Sequence, residues 1–200
     1  MKEDYNILIA GVGGQGNLVC GRILSEAALQ ADLRPVAGET FGASRRGGTV
    51  LTHLRISNRD KGPLIPKGKT SLLLGMEPLE ALRAAIEYAG QQTVAVISTA
   101  KVETPRSLSD TVEYPPIDEI VNALKSISKE VLALDPVESL KKSGSLGSLN
   151  SYMLGAISVL KEVPLSKDEI RNTIARTLRD PELNLTAFDA GAADALKLSR

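Results

Sequence analysis

The chain has 200 residues, and its 24 Lys and Arg residues balance 24 Asp and Glu residues to a formal net charge of zero. A balanced charge gives no electrostatic argument for nucleic acid or an anionic membrane as a partner. Aromatic residues make up 3% of the chain and Trp is absent, which argues against a base-stacking surface. With one Cys (Cys20) and one His (His53), we expect no internal disulfide, no metal site and no iron–sulfur cluster held by this chain alone.

The first third of the sequence predicts a strand, a glycine turn, a helix and two more strands. A short apolar run over Tyr5–Gly11 predicts a buried strand, and helical spacing of apolar residues over Leu18–Ala31 predicts a helix. A short second strand is predicted over 34–39. A third is predicted over Thr49–Ser57, where the side chains alternate between two faces. This order is typical of the opening of a doubly wound α/β sheet.

Strands and helices continue to alternate up to about residue 135. The segments "TSLLLGM" and "QTVAVIS" predict buried strands, and "EPLEALRAAIEYAG" between them predicts a helix. Next come a short strand at "DTVEYPP", a helix at "IDEIVNALKSI" and a last strand at "KEVLALD". We therefore predict an α/β fold with a doubly wound, mostly parallel, Rossmann-like sheet. It forms a single domain over 1–200, with a helical C-terminal portion from about residue 136.

A Gly-x-Gly-x-x-Gly pattern, formed by Gly11, Gly13 and Gly16, lies between the first strand and the first helix. Glycines permit a tight turn and a close approach of ligand oxygens, and the helix start supplies free N–H groups for an anion. A dinucleotide site also needs an acidic residue at the end of the second strand, for which Glu39 is the candidate. Two interpretations remain open: the turn binds a phosphate-bearing ligand, or it only packs the helix against the strand.

Two adjacent arginines, Arg45 and Arg46, lie between glycines directly after the second strand. Paired guanidinium groups suit the capture of phosphate or carboxylate, or contact with a partner chain. A solvated charged loop is the alternative. Because loops at the carboxyl ends of parallel strands face the ligand crevice, we favour the functional interpretation.

Three further residues are of types that often bind metals or take part in catalysis, but each also has a structural explanation. His53 lies close to Arg55 on the third strand without a second His or Cys nearby, which favours a structural or interface histidine over a metal ligand. Cys20 lies near the start of the first helix, where the dipole lowers a thiol pKa, but its apolar neighbours favour a buried thiol. Glu77 opens a helix and is explained by interaction with the helix dipole.

Five stretches, taken in order, are similar to one known family: "GVGGQG", "ETFGASRRGGTVLTHLRIS", "GPLIPKGKTSLLLGMEPLEALR", "EYPPIDEI" and "NSYMLGAI". They resemble the beta subunits of indolepyruvate ferredoxin oxidoreductases, within the gamma-type domain family of 2-oxoacid:ferredoxin oxidoreductases. Val50, His53 and Arg55 match the pattern of the indolepyruvate branch. Arg46 aligns with the family's arginine. The segment Gly42–Arg45 departs from the family's usual Met-Ala-Gln and adds an arginine.

The resemblance implies oxidative decarboxylation of arylpyruvates to aryl-acetyl-CoA, with electrons passed to ferredoxin. It also implies a larger partner subunit that carries thiamine diphosphate and [4Fe–4S] clusters, with coenzyme A as co-substrate and no catalytic residue in this chain. The residues expected to face coenzyme A or another phosphate are Gly11, Gly13, Gly14, Gln15, Gly16, Arg45, Arg46, Gly47 and Gly48. Those expected to face the partner or the active site are Glu39, His53 and Arg55.

Three other interpretations remain open. In the first, the chain is a gamma subunit for a different 2-oxoacid. In the second, it is a free-standing NAD-dependent dehydrogenase that uses the glycine turn and Glu39. In the third, it is an interaction module whose arginine loop only docks a partner. No apolar run is long enough for a membrane span, and the N-terminus lacks the layout of a signal peptide. We therefore expect a cytoplasmic protein without membrane or nucleic-acid partners.

Overall fold

The computed structural model describes residues 4–42, 48–102, 113–142, 144 and 146–198. The strands in these residues are β1 (Tyr5–Val12), β2 (Pro35–Phe41), β3 (Thr49–Ile56), β4 (Leu72–Gly75), β5 (Val94–Ser98) and β6 (Glu130–Leu134). The α-helices are α1 (Asn17–Gln30), α2 (Pro78–Tyr88), α3 (Ile117–Ile127), α4 (Val137–Lys142), α5 (Leu149–Ile157), α6 (Lys167–Thr177) and α7 (Pro181–Leu198).

The six strands form one mixed sheet in the order β2-β3-β1-β4-β5-β6. Strands β1, β4, β5 and β6 pair in parallel, whereas β3 is antiparallel to both β1 and β2. The connection 42–48 between β2 and β3 is too short for a parallel crossover, which needs about a dozen residues or more, so these two strands form a hairpin. The predicted class, an α/β fold with a mostly parallel sheet, is confirmed.

Helices cover both faces of the sheet because side chains alternate along each strand. In β1, Ile7 and Ile9 belong to the core formed with α1, α5, α6 and α7, whereas Leu8 and Ala10 belong to the core formed with α2 and α3. Strands buried on both faces are apolar over their whole length, which explains the uninterrupted runs in the sequence. The same burial encloses the polar side chains of β3.

The helical C-terminal portion begins at Val137, close to the predicted boundary. Helices α5 and α7 pack backbone against backbone through two glycines. A Cβ on Gly155 would lie 1.9 Å from the carbonyl oxygen of Phe188, and a Cβ on Gly191 would lie 1.9 Å from that of Tyr152. Glycine is therefore required at both positions of this crossing. Within the described part of the chain, none of the helices combines the length and apolar character needed to cross a membrane.

The strand predicted over 110–116 is wrong where the structure describes it, because residues 113–116 form no strand. Pro115 and Pro116 lack the N–H groups that a paired strand would donate, and they lead directly into α3. Residues 110–112 lie outside the described part of the chain.

Candidate functional site

The glycine turn lies at the carboxyl edge of the sheet, between β1 and α1. Gly14 and Gly16 have φ angles of +105° and +86°, a region that L side chains rarely adopt. Gly11 is required by packing, since a Cβ there would lie 2.6 Å from Gln15 Oε1 and 2.9 Å from Met76 Cβ. Backbone geometry and packing alone therefore explain these three glycines.

The side chain of Gln15 is directed into the protein and holds the turn together. Its Oε1 accepts from the Val12 N–H at 2.8 Å, and its Nε2 donates to the Met76 carbonyl oxygen at 2.9 Å. The Gln15 N–H also donates to the Val12 carbonyl oxygen at 3.2 Å. Both polar atoms of this side chain are therefore hydrogen-bonded within the chain. A ligand at the turn would meet backbone N–H groups rather than the side-chain amide of Gln15.

Helix α1 begins without a side-chain cap. Its N-cap residue is Gly16, which has no side chain that could accept from the first N–H groups of the helix. The first turn also contains no acidic residue. The Asn17 side chain instead donates to the Val50 carbonyl oxygen at 2.9 Å and fastens the helix start to β3. An uncapped helix start combines free N–H groups with the positive end of the helix dipole, and this arrangement favours an anion.

The hairpin between β2 and β3 emerges beside the glycine turn. Strand β2 runs in the same direction as β1, since both are antiparallel to β3. The N–H of Gly13 donates to the carbonyl oxygen of Gly48 at 3.1 Å and joins the two loops. Arg45, Arg46 and Gly47 lie outside the described residues, so their role towards a ligand stays a prediction.

Glu39 does not occupy the position that a dinucleotide site requires. It pairs with Thr52, which pairs with Ile9, so Glu39 is level with the middle of β1. It is also two strands away from β1, a separation of about 10 Å. A ribose-binding carboxylate lies at the end of the strand next to the glycine turn, so this register argues against a dinucleotide. The exposed Glu39 side chain remains available to a partner.

His53 and Arg55 are enclosed by their own chain. His53 is fully buried, its Nδ1 accepts from the Ile65 N–H at 3.3 Å, and its ring meets that of Tyr88 edge-on at 5.1 Å between centroids. Burial lowers the pKa of His53 and so favours the neutral imidazole. Arg55, 7% exposed, donates to the Gly62 carbonyl oxygen at 3.0 Å. These contacts favour structural roles, and a role of either residue towards a partner stays a prediction.

Cys20 is a buried thiol, as predicted. Burial raises its pKa to about 12, although it lies near the start of α1. Its Sγ is 3.8 Å from the Asn150 carbonyl oxygen, to which it donates. Among the described residues, no three side chains of His, Cys, Asp or Glu are grouped so that they could hold a metal ion.

Glu77 has a partner that sequence reasoning missed. Its Oε2 accepts from the Glu80 N–H at 2.8 Å, which caps α2, and its Oε1 accepts from the Tyr114 hydroxyl at 2.5 Å. The same hydroxyl accepts from the Leu79 N–H at 3.2 Å. Burial raises the pKa of both Glu77 and Tyr114. The two residues are 37 positions apart, and no sequence pattern links them.

A cavity of about 350 Å³ opens beside the start of α1. It is lined by Val19, Gly147, Ser148, Asn150, Leu178, Arg179, Asp180, Leu183 and Asn184. Asn184 donates to the Arg179 carbonyl oxygen at 2.8 Å and braces one wall. The Arg179 side chain is exposed. Because the lining residues are distant in sequence, the sequence carried no signal for this cavity.

A family model described as pyruvate ferredoxin/flavodoxin oxidoreductase matches residues 6–193. The indolepyruvate oxidoreductase subunit IorB of Archaeoglobus fulgidus is 33% identical to this chain over 193 residues, which covers 96% of this chain and 95% of the relative. Three other relatives with the same name are 34%, 30% and 30% identical.

The fold is shared with solved structures of 2-oxoacid oxidoreductases. The gamma subunit of a keto/oxoacid ferredoxin oxidoreductase from Geobacter sulfurreducens has a TM-score of 0.68 at 23% identity, covering 96% of this chain and 99% of that one. The 2-oxoglutarate:ferredoxin oxidoreductase from Magnetococcus marinus, with 2-oxoglutarate, coenzyme A and succinyl-CoA bound, has a TM-score of 0.69 at 22% identity. The latter match covers 98% of this chain and 32% of that chain.

Proposed function

Because the chain belongs to the pyruvate ferredoxin/flavodoxin oxidoreductase family, we propose that it is the small subunit of an indolepyruvate-type ferredoxin oxidoreductase. In this role it completes the active site in which arylpyruvates are oxidatively decarboxylated to aryl-acetyl-CoA, with electrons passing to ferredoxin. The observation that carries the proposal is the similarity, over nearly the whole chain, to subunits named for indolepyruvate.

We assign thiamine diphosphate and the [4Fe–4S] clusters to a larger partner subunit. A cluster is held by several cysteine thiolates, whereas this chain has one cysteine, Cys20, which is fully buried. The chain's own residues therefore do not fit a cluster. Its contribution is to shape the site and to bind a co-substrate.

The carboxyl edge around the glycine turn is the part of the chain we assign to coenzyme A. The uncapped start of α1 suits a phosphate group, and Arg45 and Arg46 in the adjacent hairpin would add two guanidinium groups. Gln15 contributes by holding the turn in shape, since its amide is bonded to Val12 and Met76.

A subunit for another 2-oxoacid is the second candidate, since the matching family model is described by pyruvate and not by indolepyruvate. Substrate profiling of the assembled complex separates the two, because the leading proposal requires arylpyruvates to be preferred. A free-standing NAD-dependent dehydrogenase is disfavoured by the mid-strand position of Glu39.

The experiment that tests the proposal is anoxic affinity purification of the tagged chain from its host, followed at once by an activity assay. We expect a brown complex with a larger partner that reduces a viologen dye only when both an arylpyruvate and coenzyme A are present. A colourless, solitary chain, or an equally active complex that lacks the chain, would contradict the proposal.

A double substitution, Arg45→Ala with Arg46→Ala, separates ligand binding from docking. If the arginines face coenzyme A, the complex assembles and its KM for coenzyme A rises. If the arginine loop only docks a partner, assembly weakens and the coenzyme A requirement of the remaining complex is unchanged. Arg22→Ala is the control, because that arginine is exposed on α1 and pairs with Glu26 at 2.7 Å.

A further inference from the structure

A chain of hydrogen bonds along the carboxyl edge of the sheet connects the glycine turn to the start of α2. Gln15 accepts from the Val12 N–H at 2.8 Å and donates to the Met76 carbonyl oxygen at 2.9 Å. The next residue, Glu77, is 2% exposed and accepts from the Tyr114 hydroxyl at 2.5 Å. The carbonyl that holds Gln15 therefore belongs to the residue immediately before a buried carboxylate.

Capping of α2 alone does not account for a glutamate at this position. Ser, Thr, Asp and Asn are the preferred N-caps, and burial of a carboxylate is unfavourable unless hydrogen bonds compensate. Glu77 uses one oxygen for the Glu80 N–H and the other for the Tyr114 hydroxyl. Glutamine has a single acceptor oxygen for these two donors, and aspartate is one methylene too short to reach both.

Tyr114 is itself held in place. Its hydroxyl accepts from the Leu79 N–H at 3.2 Å, and the Nζ of Lys101 lies 4.6 Å from the centroid of its ring. Glu77 thus joins the start of α2 to the chain that enters α3, and both contacts restrict the backbone directly after β4.

We infer that Glu77 is a positioning residue for the glycine turn, acting through the Met76 carbonyl oxygen and the side chain of Gln15. Tyr114 shares this role, because its hydroxyl donates to Glu77 and holds that carboxylate in place. The effect of Glu77 is on the shape of the turn and is transmitted by these contacts. Only its consequence for coenzyme A rests on the proposed function.

Hydrogen exchange of the Val12 amide in the full chain tests the inference, because that amide donates to Gln15. The variants are Glu77→Asp, which keeps a good N-cap but cannot reach Tyr114, and Tyr114→Phe, which removes the hydroxyl. We expect each to speed exchange at Val12 about threefold to tenfold relative to Ile9, whose amide reports on opening of the whole strand. The double variant should add little to either single change.

The matched control is Glu169→Gln. Glu169 is also a carboxylate at a helix start, where its Oε2 accepts from the Ser166 N–H at 2.6 Å in the capping box of α6. Glutamine keeps an oxygen that accepts from the Ser166 N–H, so this variant should change stability little and leave exchange at Val12 unchanged. A Val12-to-Ile9 exchange ratio that is unchanged in both Glu77→Asp and Tyr114→Phe would overturn the inference.

In the assembled complex, the same two variants should raise the KM for coenzyme A about threefold or more, with kcat within about twofold of the parent. Faster exchange at Val12 with an unchanged KM would support the positioning role of Glu77. That outcome would contradict the placement of coenzyme A at the turn, so the inference and the proposed function fail separately.

Discussion

Arg55 donates from its Nε to the side-chain oxygen of Asn6 at 3.1 Å, across the antiparallel pair β1 and β3. Its Nη1 donates to the carbonyl oxygens of Gly62 and Leu64 at 3.0 and 3.3 Å. Asn6 in turn donates to the Lys69 carbonyl oxygen at 2.8 Å. One buried guanidinium therefore fastens both the 62–64 loop and the approach to β4 onto the sheet.

Arg55→Ala should lower the free energy of unfolding by about 2–4 kcal/mol, because three acceptors lose their charged donor. Urea denaturation followed by circular dichroism measures the change. Arg22→Ala is the control and should change stability by less than about 0.5 kcal/mol, since that arginine is exposed. Equal effects of the two substitutions would mean that the Arg55 network does not stabilise the fold.

His53 should make the protein sensitive to mild acid. Burial places its folded-state pKa below the ordinary value of 6.5, so the unfolded chain binds the proton more readily. The stability that neutral His53 confers is present above about pH 6.5 and is lost as the pH falls below that value. As the pH falls from about 7.5 to about 5.5, His53→Gln should lose less stability than the parent, because it removes the group whose folded-state pKa is lowered. Parallel pH profiles would exclude His53 as the source.

Gly155→Ala should be among the most damaging single substitutions, because the new Cβ would overlap the Phe188 carbonyl oxygen at 1.9 Å. Two helix backbones would have to separate, so we expect a loss of about 4 kcal/mol or failure to fold. Gly147→Ala is the control, since a Cβ there meets nothing within 4 Å. Thermal unfolding of the two variants checks the difference, and similar Tm values would refute the close crossing of α5 and α7.

Gly14→Ala tests whether the glycine turn faces a ligand. A Cβ at Gly14 would meet nothing within 4 Å in the described structure, but the φ angle of +105° is unfavourable for alanine. We expect a stability loss of about 1–2 kcal/mol. Gly68→Ala, with φ +68°, should have a similar effect on stability. Only Gly14→Ala should raise the KM for coenzyme A in the complex, and an equal KM in both variants would count against the proposed placement.

Cys20 should be unreactive in the folded chain. It is fully buried, and burial raises its pKa to about 12, so the thiolate that reacts with alkylating reagents is scarce. Mass spectrometry after iodoacetamide treatment at about pH 8 should find no adduct on the folded chain and one adduct after unfolding. Rapid labelling of the folded protein would show that the helix start is accessible.

Most helices and strands were predictable because their signals are local. Helix α3 spans Ile117–Ile127, the segment that its apolar spacing predicts, and β3 spans Thr49–Ile56, within one residue of the predicted strand. Apolar periodicity and N-terminal capping signals depend on neighbours within a few residues, so sequence alone determines these elements. The buried Cys20 and the mostly parallel sheet follow from equally local patterns.

The place of β3 was not predicted, although the sequence contained a signal for it. The connection 42–48 is too short to cross over the sheet, and this length requires an antiparallel hairpin. The position of Glu39 depends on that hairpin, because β3 separates β2 from β1. The sequence supplied a glycine turn and an acidic residue, but whether they face one ligand depends on strand order.

By itself, then, the sequence determined most of the helices and strands, the family resemblance and the absence of a cysteine set for a cluster in this chain. Tertiary structure decided that Gln15 points inward, that Glu77 meets Tyr114, and that His53 and Arg55 are enclosed. Each of these outcomes depends on which distant segments the packed sheet and helices bring together. Local periodicity carries no information about such contacts, because a side chain's partners across the fold are set by strand order and register.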